Sequence, residues 1–135
     1  MNEWVFDLES IIFSRIKYAT EETLKSKYPN VRYTVTDKPI DSTTKFPTIY
    51  IHELSGAETG MDLENSAINA VLYTIQLEVI TNKSQAEAKA VMAEIASTVK
   101  KMRFTFTSFP SFDNGNNYYR CVARAQRTIG AADTL

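Results

Sequence analysis

Cysteine and histidine are almost absent from this sequence of 135 residues, which contains one of each, Cys121 and His52. One cysteine cannot form a disulfide within the chain, and no further histidine or cysteine stands at the spacing of a zinc site. The sequence also has no glycine-rich phosphate loop and no G-x-S-x-G nucleophile motif. These absences predict a protein without a metal, without a cofactor and without enzymatic activity.

An excess of one charge is missing too, because 15 basic residues stand against 16 acidic residues and the formal net charge is -1. A protein that binds nucleic acid over its general surface is expected to carry a clear basic excess. No apolar run approaches the roughly 20 residues of a membrane span, and the N-terminal MNEWVFDLES carries acids where a signal peptide carries basic residues. We therefore expect a protein that is made and kept in a cytoplasm, with no membrane partner.

The composition is that of an ordinary globular domain, with 44% hydrophobic and 23% charged residues. A chain of this length buries about two thirds of the surface that its unfolded form exposes, so its core needs neither a disulfide nor a metal. We therefore expect a single domain over residues 1–135.

The second half of the chain switches from one hydrophobic period to another. The segment YTIQLEVITN alternates apolar and polar residues, which predicts a half-buried strand. The following segment SQAEAKAVMAEIASTVKKM repeats apolar residues at steps of three and four, which predicts a helix. Ser84 and Glu87 have the spacing of a capping box at its start. The predicted core residues of the two segments are Val71, Ile75, Leu77, Val79, Val91, Ile95 and Val99.

The remaining segments complete an α+β pattern in the order α-β-β-β-α-β-β. The first helix has an apolar stripe that runs through Ile12 and Ile16 to Ala19 and Thr23, and Asp113-Asn114-Gly115 predicts a turn between the last two strands. We predict an antiparallel-rich mixed sheet of about five strands with two helices packed on one face. The predicted helices lie near 4–27 and 84–102, and the predicted strands near 31–35, 46–54, 71–82, 103–109 and 118–129.

Two segments show neither the alternation of a strand nor the three- and four-residue spacing of a helix. Residues 55–66 are polar and contain glycines, which predicts a flexible loop that is either a mobile hairpin tip or a functional surface. Residues 130–135 are small and polar and predict a loose tail. The candidate interface residues of the loop are Glu58, Met61, Asp62 and Glu64.

Arginines in the last predicted strand form the other candidate interface. Arg120 and Arg124 share one face of this strand with Gln126. The face is either a solvated surface or a partner surface, since arginine is the charged residue that interfaces favour. If it is a partner surface, reversing either arginine to glutamate is expected to weaken assembly and to leave the fold intact.

The chain resembles the tail terminator proteins of long-tailed bacteriophages, small tail-completion or head–tail joining proteins that are often labelled minor capsid proteins. The resemblance covers nearly the whole chain. It is carried by FPTIYIHEL with the acidic loop after it, by YTIQLEVITN running into SQAEAKAVMAEIASTVKKM, and by RFTFTSFPSFDNGNNYYRCVARAQRTI. Where similar proteins often have Gly-Phe before the last hairpin, this chain has Met102-Arg103-Phe104.

The resemblance implies a structural virion protein at the junction of tail and neck, assembled in the cytoplasm of the bacterial host. It implies a homohexameric ring that caps the tail tube and stops its polymerisation. The implied partners are further copies of the chain, the tail tube protein and a head connector or neck protein. DNA would pass through the ring at ejection without specific binding.

Three other hypotheses remain open at the level of the sequence. A neck adaptor also joins head to tail, but it binds on the portal side. A ferredoxin-like module would bind RNA or a small ligand, and its RNA version needs surface aromatic residues within a basic field. Tyr50 and Tyr73 are the candidates for those aromatic residues, although the charge balance does not supply the field. An enzyme is the last hypothesis, for which the sequence contains no catalytic constellation.

Overall fold

The computed structural model describes residues 3–35, 45–61, 68–115 and 117–135, and it confirms the predicted α+β fold. Within these residues, two helices and five strands follow one another in the predicted order. They are α1 (Glu3–Lys27), β1 (Arg32–Thr34), β2 (Thr48–Met61), β3 (Ile68–Thr81), α2 (Gln85–Lys101), β4 (Thr105–Phe112) and β5 (Tyr119–Gly130).

The strands form one mixed sheet in the order β1-β2-β3-β5-β4. β1 runs parallel to β2, and all other neighbours are antiparallel. β1 pairs only with the first residues of β2, Thr48 to Tyr50. The outer edge of β2 from Ile51 to Met61 therefore has no partner strand among the described residues.

The core lies between one face of the sheet and the two helices. All seven residues that the sequence predicted as core are buried, which confirms both hydrophobic periods. α1 packs on β2 and on α2, and α2 packs on β3 and β5. The small residues Cys121, Ala123 and Ala125 of β5 are fully buried, and they give α2 room to approach the sheet.

The buried stripe of α1 differs from the prediction in its second half. Thr20 and Leu24 are buried there, whereas Ala19 and Thr23 are exposed. Thr20 is accepted in the core because its hydroxyl donates to the Ile16 carbonyl at 2.7 Å and lies 2.6 Å from the Tyr33 hydroxyl. Hydrogen bonds to buried partners offset most of the free-energy cost of burying a polar group.

The predicted loop at 55–66 is wrong over its first half, because β2 extends without a break to Met61. Residues 55–61 pair with β3 through a register that shifts by one residue between Glu53 and Ser55, as in a β-bulge. Backbone hydrogen bonds along β3 hold this part of the strand, so it needs no apolar side chains of its own. Residues 62–66 of the predicted loop lie outside the described residues.

The predicted loose tail is also corrected by the structure. Asp133 accepts hydrogen bonds from the Gly130 amide at 2.9 Å and from Arg127 at 3.4 Å. Leu135 packs against the core. Arg103 donates to the Thr134 carbonyl at 3.2 Å. These contacts attach the last residues to the end of the sheet.

α2 begins and ends in well-defined caps. The Ser84 hydroxyl accepts a hydrogen bond from the Glu87 backbone amide at 3.1 Å, and the Glu87 carboxylate accepts one from the Thr81 hydroxyl. At the other end, the Arg103 amide donates a hydrogen bond to the Lys100 carbonyl at 3.0 Å, and the Phe104 amide donates one to the Val99 carbonyl at 3.3 Å. This pair of bonds is a Schellman motif, and it places Arg103 at a φ of 69°, where glycine is usually found.

Candidate interaction surfaces

The two helices cover one face of the sheet and leave the other face without a helix. On this second face, named here the open face, the side chains of β3 and β5 that alternate with the core meet solvent. Most of them are half-buried and polar. The described side chains that define the open face are Tyr50, His52, Thr74, Gln76, Glu78, Arg120, Val122, Arg124, Gln126 and Thr128.

Arg120 holds a buried carboxylate on the open face. The Glu78 side chain is 2% exposed, and its carboxylate pairs with the Arg120 guanidinium. The same guanidinium lies 3.5 Å from the Asp113 carboxylate. A buried charge without a partner is costly, so Arg120 has a structural role. Reversal of Arg120 to glutamate is therefore expected to destabilise the fold, in contrast to the prediction from the sequence, because the new carboxylate would face Glu78.

Arg124 is the exposed arginine of the predicted pair. It lies on the same face as Arg120, as predicted, and its Nε donates to the Gln76 Oε1 at 3.0 Å. No carboxylate within the described ranges forms an ion pair with it. A glutamine partner leaves the positive charge uncompensated, so Arg124 is available to an anionic or polar partner.

The acidic interface candidate of β2 does not lie on the open face with the arginines. Glu58 is exposed and lies opposite Val71, whose side chain belongs to the helix-covered face. Directly opposed residues point to the same side of a sheet, so Glu58 is directed away from the open face. Met61 ends β2, and Asp62 and Glu64 lie outside the described residues.

Among the described residues, the surroundings of the histidine and the cysteine are a tyrosine ring and the apolar core, respectively. The Nδ1 of His52 lies 2.8 Å from the Tyr50 hydroxyl, and the two rings meet edge to face at 4.5 Å. Cys121 is fully buried, and burial raises the pKa of its thiol, which disfavours the nucleophilic thiolate. The described part of the chain contains no group of three or more acids, histidines or cysteines that could hold a metal ion.

A groove beside α1 is a second candidate surface, and sequence reasoning missed it. It lies between the first half of α1 and the β1–β2 edge of the sheet, and its volume is about 620 Å³. Its walls are mostly aromatic and apolar, and two carboxylates also line it. The residues that define this groove are Phe6, Glu9, Phe13, Tyr33, Val35 and Glu53.

The buried Tyr73 phenol lies near the two carboxylates of the groove. Tyr73 is 2% exposed, and a side-chain hydrogen bond connects its hydroxyl to Glu53. Burial raises the pKa of this phenol above its usual range, and the charges of Glu53 and Glu9 raise it further.

Alternating hydrophobicity identifies Tyr73 as a core residue, but it does not reveal that the phenol lies near Glu53 and Glu9. The two glutamates also carry no signal in the sequence. Glu9 is on α1 and Glu53 is on β2, so only the packing of the helix on the sheet brings them to one groove.

Replacing Tyr73 by phenylalanine is expected to remove the alkaline loss of stability that the raised pKa of this phenol causes, since phenylalanine does not ionise. Because the pKa of Tyr73 in the folded state is raised, its contribution to stability is complete below about pH 10 and is lost as the pH rises further. Urea unfolding between about pH 9 and about pH 11 should therefore show a smaller alkaline loss of stability in the variant.

Tyr18→Phe, at a position that is 89% exposed, controls for the loss of a phenol from the chain. An alkaline loss of stability as large in Tyr73→Phe as in the wild type would contradict the raised pKa of Tyr73.

No protein-family model matches the chain, and no curated protein matches it. Among the described helices, none is long and apolar enough to cross a membrane.

Proposed function

We propose that this protein is a structural virion protein that forms a ring at the end of a phage tail tube. The ring ends the polymerisation of the tube and offers a surface to the head connector or neck protein. It is assembled from copies of this chain, most simply six, and sits at the junction of tail and neck. DNA passes through it without specific binding.

The open face is the observation that supports this proposal most directly. It is an extended polar surface on which Arg124 carries an uncompensated charge. Small-molecule sites are concave and mostly apolar, whereas protein interfaces are broad and enriched in arginine. A surface of this kind suits contact with another protein.

The free edge of β2 supports assembly as well. Main-chain groups from Ile51 to Met61 face outward without a described partner strand. Unpaired edges are where further chains add to a sheet. The near-neutral charge of the chain agrees with a conduit through which DNA slides, because a strongly basic surface would retain it.

The strand order bears on the ferredoxin-like alternative. That fold has the element order β-α-β-β-α-β, whereas this chain has α-β-β-β-α-β-β with β5 between β3 and β4. We therefore do not favour a ferredoxin-like binding module. A neck adaptor would use the same open face and free edge, and it would bind the portal side instead of the tail tube.

Native mass spectrometry of the purified protein, alone and with tail tube protein, tests the proposal. We expect a closed ring near six subunits that binds the end of the tube. Arg124→Glu is expected to weaken tail assembly, because an unpaired like charge at an interface costs several kcal/mol. Its thermal unfolding should match that of wild type, since Arg124 is exposed and pairs only with Gln76.

Arg124→Lys, which keeps the charge, is the matched control. Normal-length tails joined to heads at wild-type yield in Arg124→Glu virions would exclude the open face as the contact. A protein that stays monomeric in the presence of tube would exclude the ring. A ring that binds portal and ignores the tube would indicate the neck adaptor.

A further inference from the structure

The outer side of α1 carries two large side chains that the fold leaves exposed. Ile11 is 42% exposed and Tyr18 is 89% exposed. They are seven residues apart, which is two turns of a helix, so they share one face. The buried stripe of α1, from Leu8 through Ile16 to Leu24, lies on another side of the helix. We name the exposed face, defined by Ile11, Ser14, Arg15, Tyr18 and Glu22, the outer stripe.

Two shallow depressions adjoin Tyr18 on the surface of α1. One has a volume of about 510 Å³ and lies between Ile11 and Tyr18, beside the short side chain of Ser14. The other has a volume of about 460 Å³ and extends from Tyr18 towards Lys25. All described residues that line them belong to α1, so no other described element fills them. A bulky side chain of a partner can therefore pack on either side of the Tyr18 ring.

The charges of α1 change sign at Tyr18. Arg15 precedes the tyrosine and Glu22 follows it, seven residues after the arginine and on the same face. Arg15 has no carboxylate three or four residues away, and it forms no ion pair with a described residue. Glu22 forms none either, while the nearby Lys25 pairs with Glu21 at 3.3 Å. One unpaired cation and one unpaired anion thus lie on either side of Tyr18.

This arrangement of charges is its own complement when the helix is reversed. If two copies of α1 run antiparallel with a two-fold axis beside Tyr18, Arg15 of each copy lies opposite the acidic turn with Glu22 of the other. The two tyrosine rings then meet at the axis, where aromatic pairs are favourable. Ile11 of each copy lies opposite Lys25 of the other, whose aliphatic stem can cover it.

The self-complementary pattern favours a second copy over a different partner. A helix that binds a different protein has to complement that protein, and nothing requires its charges to complement themselves. A membrane surface is a poor occupant, because helices that lie on membranes carry an excess of basic residues beside the apolar face. The outer stripe has one arginine and one glutamate instead.

We propose that the outer stripe of α1 binds the outer stripe of a second copy of this chain, antiparallel and about a two-fold axis beside Tyr18. Such a contact is isologous, so it is complete with two copies. It lies on the helix-covered side of the sheet, whereas the open face lies on the other side. The contact therefore leaves the open face available and does not depend on the proposed function.

Charge reversal tests the pairing. Arg15→Glu and Glu22→Arg are each expected to raise the dissociation constant of the pair at least about tenfold in sedimentation velocity, since like charges meet at both symmetric contacts. The double variant Arg15→Glu/Glu22→Arg restores the pair, because opposite charges face each other again. An equal mixture of the two single variants forms pairs of one chain of each kind, which native mass spectrometry resolves by mass.

Lys89→Glu is the matched control for these variants. It makes the same change of net charge as Arg15→Glu, at an exposed position of α2, and it is expected to pair as the wild type does. The midpoints of thermal unfolding of all these variants, measured where they are monomeric, should match, because the substituted side chains are exposed.

Cross-linking tests the position of the axis. Tyr18→Cys is expected to be joined to its own counterpart by a short bis-maleimide cross-linker, because both copies of position 18 lie at the axis. Ile11→Cys, on the same face, lies about 20 Å from its counterpart in the antiparallel pair and should not be joined. Cys121 is buried and does not compete for the reagent. Cross-linking of both variants would contradict the antiparallel arrangement.

A wild-type protein without pairing at about 1 mM would overturn the proposal, as would single reversals that pair like the wild type or a mixture without mixed pairs. The readout is separate from the proposed function, because pairing doubles the mass of either a subunit or a ring. A ring without pairing leaves the proposed function standing and overturns the α1 contact. Pairing without a ring in the presence of tube does the reverse.

Discussion

Replacing Ile75 by alanine is expected to lower the free energy of unfolding by about 2–5 kcal/mol, and Ile95→Ala to lower it by a similar amount. Ile75 is 1% exposed at the centre of β3, and Ile95 is 0% exposed on α2, which packs on that strand. Each change removes buried methyl and methylene groups and leaves a cavity that a close-packed core fills only in part. Urea unfolding followed by circular dichroism measures the loss.

Ile11→Ala on α1 is the control, because Ile11 is 42% exposed and its truncation leaves no cavity. Its effect should stay within about 0.5 kcal/mol. Losses below that value for both Ile75→Ala and Ile95→Ala would show that the helices do not pack on this face of the sheet.

Replacing Arg120 by alanine is expected to cost about 2–3 kcal/mol, because Glu78 keeps a buried carboxylate without its cation. Breaking a fully buried ion pair costs about 3–5 kcal/mol, and the value is smaller here because the Arg120 side chain is 38% exposed and water can replace part of it. Urea unfolding at neutral pH measures the difference. Arg124→Ala is the matched control on the same strand face, and it should cost less than about 0.5 kcal/mol.

The double variant Glu78→Leu/Arg120→Leu provides a further check. Apolar residues that replace both partners of a buried pair often leave stability unchanged or improved. We therefore expect the double variant to be more stable than Arg120→Ala. Equal stability of Arg120→Ala and Arg124→Ala would contradict the structural role of Arg120.

The element order and the core of the second half are predictable because their causes are local. Ile75 and Ile95 are recognised as buried from the period of their own segments, without knowledge of the rest of the chain. Ser84 marks the start of α2 through a hydrogen bond to a residue three positions later. Such patterns can be read from one segment, because a helix or strand that is buried on one face needs apolar residues at that face only.

The extent of β2 was not predictable in the same way. Residues 55–61 have no alternating pattern, and a β-bulge after Glu53 shifts their register against β3. Strand formation there depends on backbone hydrogen bonds to β3, and the amino-acid composition of the segment does not indicate such bonds. The C-terminal residues are held by Arg127 and Arg103, two side chains whose partners are not visible in the local sequence.

The sequence by itself determined the α+β class, the order of the elements and the buried faces of β3 and α2, because hydrophobic periodicity is a property of each segment alone. Only the tertiary structure decided that Arg120 is bound to buried Glu78 while Arg124 is exposed, although both lie on one strand face. It alone brought Glu9 and Glu53 to one groove. The physical reason is that ion pairs and grooves join residues from different elements, so they exist only after helix and sheet have packed.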